Sequence, residues 1–424
     1  MFRISNDIKK VFKRKTVNNG LWMYALQFFN TIIPIVILPY ITRILGKYQY
    51  GVFSTSFNIV GYLQVLVEYG FAMSATRKVA IGNKDRTQLS RYFTSILLSR
   101  LLLLCVSLIF SIIYLYFWNP GLIQAESFWL LFISLIGIAF QENWLFQGLQ
   151  DMKYISIANI TARLVTTILI FKMVKTRHDV LLYCFLYALS PVISNLIGLV
   201  IVKVKYKLHF IRISIQEVKD ELKDGWYIFT TQITGKVFGS IGITFLIFFS
   251  NTSEVGIYSA IQKIPNIIIL LWMPISQIMY PITSKKMNSS FEYGKKFVLK
   301  LRRIFVGIFA VLAIVLSIFA KPIVWFAFGH EYASSYLLLI PLLAWVVISI
   351  DNNFWGVQIL LGSGHDKEYS ICFQINVLIT IFLNLLFIYL WGSVGASLAP
   401  LVSEVILDVM LIVIVKNISI QKRL

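Results

Sequence analysis

Apolar runs long enough to cross a lipid bilayer recur along almost the whole of this chain. A spanning helix needs about 20 predominantly apolar residues. Such runs fall at roughly 20–45, 50–75, 93–118, 128–149, 155–174, 180–202, 226–250, 255–281, 304–328, 335–361, 369–391 and 394–415. Their number predicts twelve transmembrane helices. Composition agrees: 58% of the 424 residues are hydrophobic and 14% are charged, against about 25% charged in an ordinary soluble domain. A soluble fold of this length has too little interior to hide so much apolar surface. A soluble enzyme, a disordered scaffold and a secreted disulfide module are therefore excluded, and an all-α polytopic membrane protein is expected.

The formal net charge is +20. Cytoplasmic loops of membrane proteins carry an excess of Lys and Arg. With the N-terminus inside, 29 of the 39 Lys and Arg fall on inner segments and six on outer ones. The densest inner clusters are residues 1–19 (Arg3, Lys9, Lys10, Lys13, Arg14, Lys15), 203–225 and 282–303. Both termini are thus expected to be cytoplasmic, and the charge needs no nucleic acid to explain it. Residues 1–19 are too polar for a signal peptide. The inner loops 203–225 and 282–303 mix basic and apolar residues, which suits the surface of an anionic leaflet.

Two short stretches recur at one offset. Gly20–Gln27 is similar to Gly225–Gln232, and Gly51–Ser54 to Gly256–Ser259, each 205 residues apart. The expected organisation is a basic N-terminus (1–19), a six-helix lobe (20–202), an amphipathic linker (203–225), a second six-helix lobe (226–415) and a tail (416–424). Six spans per half give both halves the same orientation, related by an axis along the membrane normal. The two bundles then leave a central cavity between them.

Four Lys or Arg lie inside spans: Arg100, Arg163, Lys236 and Lys263. Charges at bilayer depth are costly and normally face a bundle interior or water. Lys236 and Glu404 fall near mid-depth, Arg163 close to it, and Arg100, Lys263, Glu142 and Asp351 nearer one end. Lys236 lies within Gly235-Lys-Val-Phe-Gly239, a small-xxx-small element. A cavity lined by cations suits an anionic ligand, because a guanidinium can hold phosphate oxygens through paired hydrogen bonds. Asp351, Glu142 and Glu404 are the candidates for holding a coupling proton or Na⁺. For Arg100 the competing reading is snorkelling to the inner surface. For Glu404 and Asp408, four residues apart, it is hydrogen bonding to neighbouring helices. Pro34 and Pro39, and Pro265 and Pro274, interrupt two spans and suggest hinges. Cys105, Cys184 and Cys372 lie in separate apolar runs and read as small apolar side chains. The four histidines have no metal-ligand spacing, and no resident cofactor is expected. There is no P-loop, and the loops are too short for a catalytic domain.

The stretch Pro39-Tyr-Ile-Thr-Arg43-Ile-Leu-Gly46-Lys-Tyr-Gln-Tyr-Gly51 resembles the opening of polysaccharide-transport proteins. Glu68-Tyr-Gly-Phe71 with Ala75-Thr76, Trp144-Leu-Phe-Gln147-Gly148, Asp224-Gly225 and Tyr280-Pro281 fit the same pattern in order and spacing. Together they resemble the Wzx-type O-antigen and capsule repeat-unit flippases of the MATE-like flippase superfamily. The resemblance implies a bacterial inner-membrane protein of two six-helix bundles. Its substrate would be an undecaprenyl-diphosphate-linked oligosaccharide, moved from the cytoplasmic to the periplasmic leaflet by ion-coupled alternating access. Membrane lipids and polysaccharide polymerase or assembly proteins would be its partners. The motif residues Arg43, Glu68 and Gln147 fall at helix ends, where they would hold gates or turns. Two other readings stay open: a MATE-type drug or metabolite antiporter, whose cavity should be acidic, and a membrane glycosyltransferase or polymerase.

Overall fold

The computed structural model describes the backbone of residues 2–82 and 85–421, with side chains from 17 to 82 and from 85 to 420. The basic side chains of residues 1–16, Lys84, Lys422 and Arg423 lie outside this range. Among the described residues the chain is helical apart from short connectors, and no strand occurs. In order the helices are α1 (Phe2–Glu68), α2 (Phe71–Ile81), α3 (Arg86–Trp118), α4 (Leu122–Ala139) and α5 (Asn143–Gly148). Next come α6 (Met152–Met173), α7 (Val180–Ile201), α8 (Ile215–Phe249), α9 (Thr252–Ile261) and α10 (Lys263–Ser289). The last five are α11 (Phe291–Ile318), α12 (Ala320–Phe328), α13 (His330–Ala333), α14 (Leu339–Asn353) and α15 (Asp366–Gln421).

Ten helical segments among the described residues are long and apolar enough to cross a membrane. Two of these take in α1 and α15, helices that are each long enough for two passes and are each broken once. Gly46 breaks α1 at φ 71°, ψ 174°, and Gly392 breaks α15 at φ 53°, ψ −128°. Side chains with a Cβ rarely adopt such backbone angles, so glycine sets the place of each turn. Dividing both helices at these points restores twelve passes. Each restarting helix has unpaired backbone N–H groups at its start. A distant carboxylate accepts from one in both cases: Glu331 from Lys47 N at 3.1 Å, and Glu254 from Ser393 N at 2.7 Å.

The prolines do not break the helices as the sequence suggested. Pro34 and Pro39 lie inside α1, and Pro274 inside α10. Pro265 sits in the first turn of α10, where its missing N–H has no intrahelical partner to lose. The second expected difference concerns the linker. Helix α8 starts at Ile215 and runs unbroken into its span, so residues 207–214 alone are irregular. That irregular stretch is pinned along α3: Arg86 Nε donates to the Lys207 carbonyl at 2.7 Å, and Ile211 N to Thr94 Oγ1 at 3.2 Å.

Packing divides the chain into two units. The first comprises Met1–Leu45 and Ser56–Val237; the second comprises Gly46–Thr55 and Phe238–Leu424. Against a division into residues 20–202 and 226–415, two short stretches change sides: 46–55 packs in the second unit, and 226–237 in the first. The core of the first unit includes Phe71, Phe93, Trp144 and Phe146, all buried. In the second unit α14 passes into a wider π-helical turn over Phe354–Leu360. Such turns leave backbone groups out of the regular ladder and recur at functional sites.

Candidate functional site

Three of the motifs read from the sequence meet in the first unit. The turn between α1 and α2 runs through Tyr69 (φ 46°) and Gly70 (φ 76°). The Tyr69 ring stacks on Phe229 of α8, centroids 4.7 Å apart and planes at 14°. At Gly225 a Cβ would sit 2.8 Å from the Tyr69 carbonyl oxygen, so the backbone approach requires glycine. Thr76 donates to the Trp144 carbonyl at 3.0 Å and lies 3.5 Å from Gln147 Oε1. Glu68 accepts from Gln64 Nε2 at 2.8 Å. Asp224 pairs with Lys78 at 2.8 Å, and Glu221 pairs with the same ammonium at 2.9 Å. Glu68 thus pairs within the last turn of α1, and Gln147 lies at the contact between α2 and α5. Arg43 is exposed, three residues before the Gly46 break.

The intramembrane cations of this unit have separate settings. Arg100 is 1% exposed. It donates to the Gln141 carbonyl, lies 5.7 Å from the Phe71 ring centre, and has Glu68 and Glu142 as nearby opposite charges. The α4 helix stops at Ala139, and the turn that follows carries Gln141 and Glu142 to the guanidinium. Arg100 is thus neither lining an open cavity nor snorkelling; a buried charge persists only where partners offset its lost hydration. Glu142 is also buried, with one carboxylate oxygen unpartnered.

Arg163 is half-buried, and its NH1 donates to the Asn30 carbonyl at 3.3 Å. That carbonyl is the one whose regular donor would be the N–H of residue 34. Residue 34 is proline and has none, so Arg163 completes the α1 ladder from outside.

Lys236 is half-buried on α8. Its ammonium lies over the Tyr62 ring, 5.2 Å from the centre. A Cβ on Gly61 would come within 2.7 Å of Lys236 Nζ, so the glycine makes room for it. On the same helix, Gly235 and Gly239 face open space. Lys263 is exposed at the start of α10 in the second unit.

In the second unit the candidate carboxylates lie on α14 and α15. Both Asp351 oxygens are taken by the Arg302 guanidinium, through Nε and through NH2 at 2.5 Å. Arg302 also lies over the Trp355 ring at 4.9 Å. Glu404 is buried and accepts from the Asn352 amide, which also donates to the Glu404 carbonyl at 2.9 Å. Asp408, one turn further on α15, interacts electrostatically with Arg302 and Asp351 and has one buried, unpartnered oxygen. Sequence reasoning missed Arg302 and Asn352. Arg302 precedes an apolar run and reads as a loop cation, but α11 begins at Phe291 and carries it into the helix packing. The apolar start at 304 hid that earlier boundary. Among the described residues, no group of three or more His, Cys, Asp or Glu could hold a metal ion.

The chain resembles known proteins over nearly its full length. A protein of Escherichia coli (strain K12) named "Putative O-antigen transporter" is 24% identical over 399 residues, covering 94% of this chain and 96% of the relative. One of the same name from Shigella dysenteriae is 27% identical over 403 residues, covering 94% and 99%. Among solved structures, the lipid II flippase MurJ in its inward closed conformation aligns with a TM-score of 0.69 at 14% identity, covering 93% of this chain and 87% of MurJ. An inward-facing MATE-family multidrug transporter aligns with a TM-score of 0.67 at 14% identity, covering 93% and 99%. At such identities these structures establish the fold of a polytopic membrane transporter. The profile of the polysaccharide biosynthesis protein family matches residues 16–287, a stretch that holds every motif described above, and the chain belongs to that family.

Proposed function

We propose that the protein is a flippase for undecaprenyl-diphosphate-linked oligosaccharide repeat units of O-antigen or capsule. It moves them from the cytoplasmic to the periplasmic leaflet of the bacterial inner membrane, with both termini cytoplasmic. The observation that carries this reading is the near full-length relationship to two proteins named as O-antigen transporters, on a fold shared with a lipid II flippase. The residues add a physical reason. Lys236 keeps an ammonium at bilayer depth beside an aromatic ring and a helix face of small residues. A diphosphate moved through hydrocarbon without counter-charge faces a prohibitive desolvation cost. Lys236 of the first unit is the cation we assign to it, with Arg163 of the same unit as a weaker contributor because its NH1 already serves Asn30.

Ion coupling forms part of the proposal. Asp351 is locked by Arg302, so Glu404, whose side-chain hydrogen-bond partners Asn352 and Trp345 are both neutral, is the better carrier of a coupling proton or Na⁺. The MATE-type antiporter is favoured by one observation, the similar fold match, and opposed by the cationic character of Lys236. Deletion of the gene separates them. Cells without the protein should accumulate lipid-linked repeat units on the cytoplasmic side; unchanged repeat-unit levels together with loss of organic-cation export would replace the flippase reading.

A further inference from the structure

The seam between α10 and α11 in the second unit carries a cleft of about 530 Å³, lined by Pro281, Ile282, Lys285, Lys286, Ser289 and Tyr293. This is within the usual size of a small-molecule site, about 300–1,000 Å³. We propose that it binds the phosphate headgroup of an anionic glycerophospholipid of the surrounding bilayer.

Charge comes first. Residues 282–303 contain seven Lys and Arg and one acid, Glu292. Glu292 is in the first turn of α11, has a buried carboxylate oxygen and is absent from the cleft lining. Two lysines therefore line the cleft with no carboxylate among its lining residues. Lys286 is held in place: its Nζ donates to Tyr293 Oη at 3.3 Å and lies 4.5 Å from the Phe297 ring centre. An ammonium has three donors, so this arrangement leaves N–H groups for a phosphate. Lys285 is exposed at the rim, and the Ser289 and Tyr293 hydroxyls add polar contacts.

The approach to the cleft fixes the kind of lipid. Leu271, Pro274, Ile278 and Ile282 are exposed and spaced three or four residues apart, so they form one stripe along α10. The same stripe continues into Lys285 and Ser289. At 1.5 Å per residue, Leu271 to Ile282 spans about 16 Å, close to the depth of one leaflet of a bilayer core about 30 Å thick. An apolar track of that length ending in two ammonium groups matches an acyl chain below a phosphate. A polyprenyl chain is much longer than this track.

The full-length protein, reconstituted in phosphatidylcholine vesicles with phosphatidylglycerol carrying a photo-crosslinker, provides the test. Crosslinks should map to residues 281–293 and be competed by unlabelled phosphatidylglycerol but not by phosphatidylcholine. Each lysine near an anionic surface contributes on the order of a few-fold in affinity, so Lys285→Gln with Lys286→Gln should weaken labelling there about 30-fold. Ser289→Asp, which adds a like charge to the phosphate, should do the same without removing a lysine. Labelling at 281–293 that survives both variants, that phosphatidylcholine competes equally, or that only a polyprenyl diphosphate displaces would overturn the proposal. None of these readouts depends on flipping, so a failed flippase assignment would leave the result interpretable.

Discussion

Gly51 and Gly256 stand 205 residues apart in sequence and pack backbone to backbone. A Cβ on Gly51 would run into the carbonyl of Thr252, and a Cβ on Gly256 into the carbonyl of Lys47. Lys47 and Thr252 are themselves 205 residues apart. The same offset that links the two halves of the sequence therefore also relates the two sides of this crossing, as a local two-fold relation requires.

Gly51→Ala and Gly256→Ala should be equally harmful, because each methyl meets a backbone carbonyl that cannot rotate away. Overpacking of this kind costs about 1–3 kcal/mol. Gly235→Ala is the control, since nothing lies within 4 Å of its added Cβ; its effect should be at most about 1 kcal/mol and of stabilising sign. Thermal unfolding of the detergent-purified variants reads both. Unequal losses at Gly51 and Gly256 would show that the two sides of the crossing are not equivalent.

Arg163→Ala should leave the Asn30 carbonyl without a donor, at a cost of about 1–2 kcal/mol. Pro34→Ala restores an N–H at the regular position. In that background the stability cost of Arg163→Ala should fall to less than half. A double-mutant cycle in Tm measures the coupling, and a loss of flipping that persists in the double variant would assign Arg163 a transport role beyond its structural one.

Arg302→Ala should be strongly destabilising because it strands the mostly buried Asp351 carboxylate beside Asp408. Breaking a buried pair from one side costs about 3–5 kcal/mol, and the lower end applies here because Arg302 is partly exposed. Replacing both partners, Arg302→Met with Asp351→Leu, should recover most of the loss. If the double variant unfolds at the same temperature as Arg302→Ala alone, the pair is not the source of the effect.

Lys236→Ala should abolish flipping while the protein still reaches the membrane in normal amount, and Lys236→Arg should retain part of the activity because the charge stays beside Tyr62. Accumulated cytoplasmic lipid-linked repeat units and immunoblotted membrane fractions are the two measurements. Full activity of Lys236→Ala would remove this residue from the substrate path.

The twelve passes were legible from sequence because crossing a bilayer is a local requirement: about 20 apolar residues must follow one another, and a window along the chain detects that. The pairing of Gly51 with Gly256 was hinted at by their shared offset, and close backbone approach is what leaves only glycine at both places. Helix ends were less legible. The break in α1 falls at Gly46 and not at Pro34 or Pro39, since a proline inside a span can be rescued by a neighbouring side chain, and Arg163 does this for Asn30.

Partnership was decided by tertiary structure alone. Hydropathy marks Arg100 and Lys236 as costly alike, yet one is enclosed by Gln141, Glu142 and Phe71, and the other rests half-buried on Tyr62. Asp351 reads as a free carboxylate until α11 brings Arg302 against it. The chain's order thus determined how many times it crosses the membrane. Which intramembrane charges are neutralised depended on contacts between residues tens to more than a hundred positions apart, and no local pattern carries the sign or distance of such a partner.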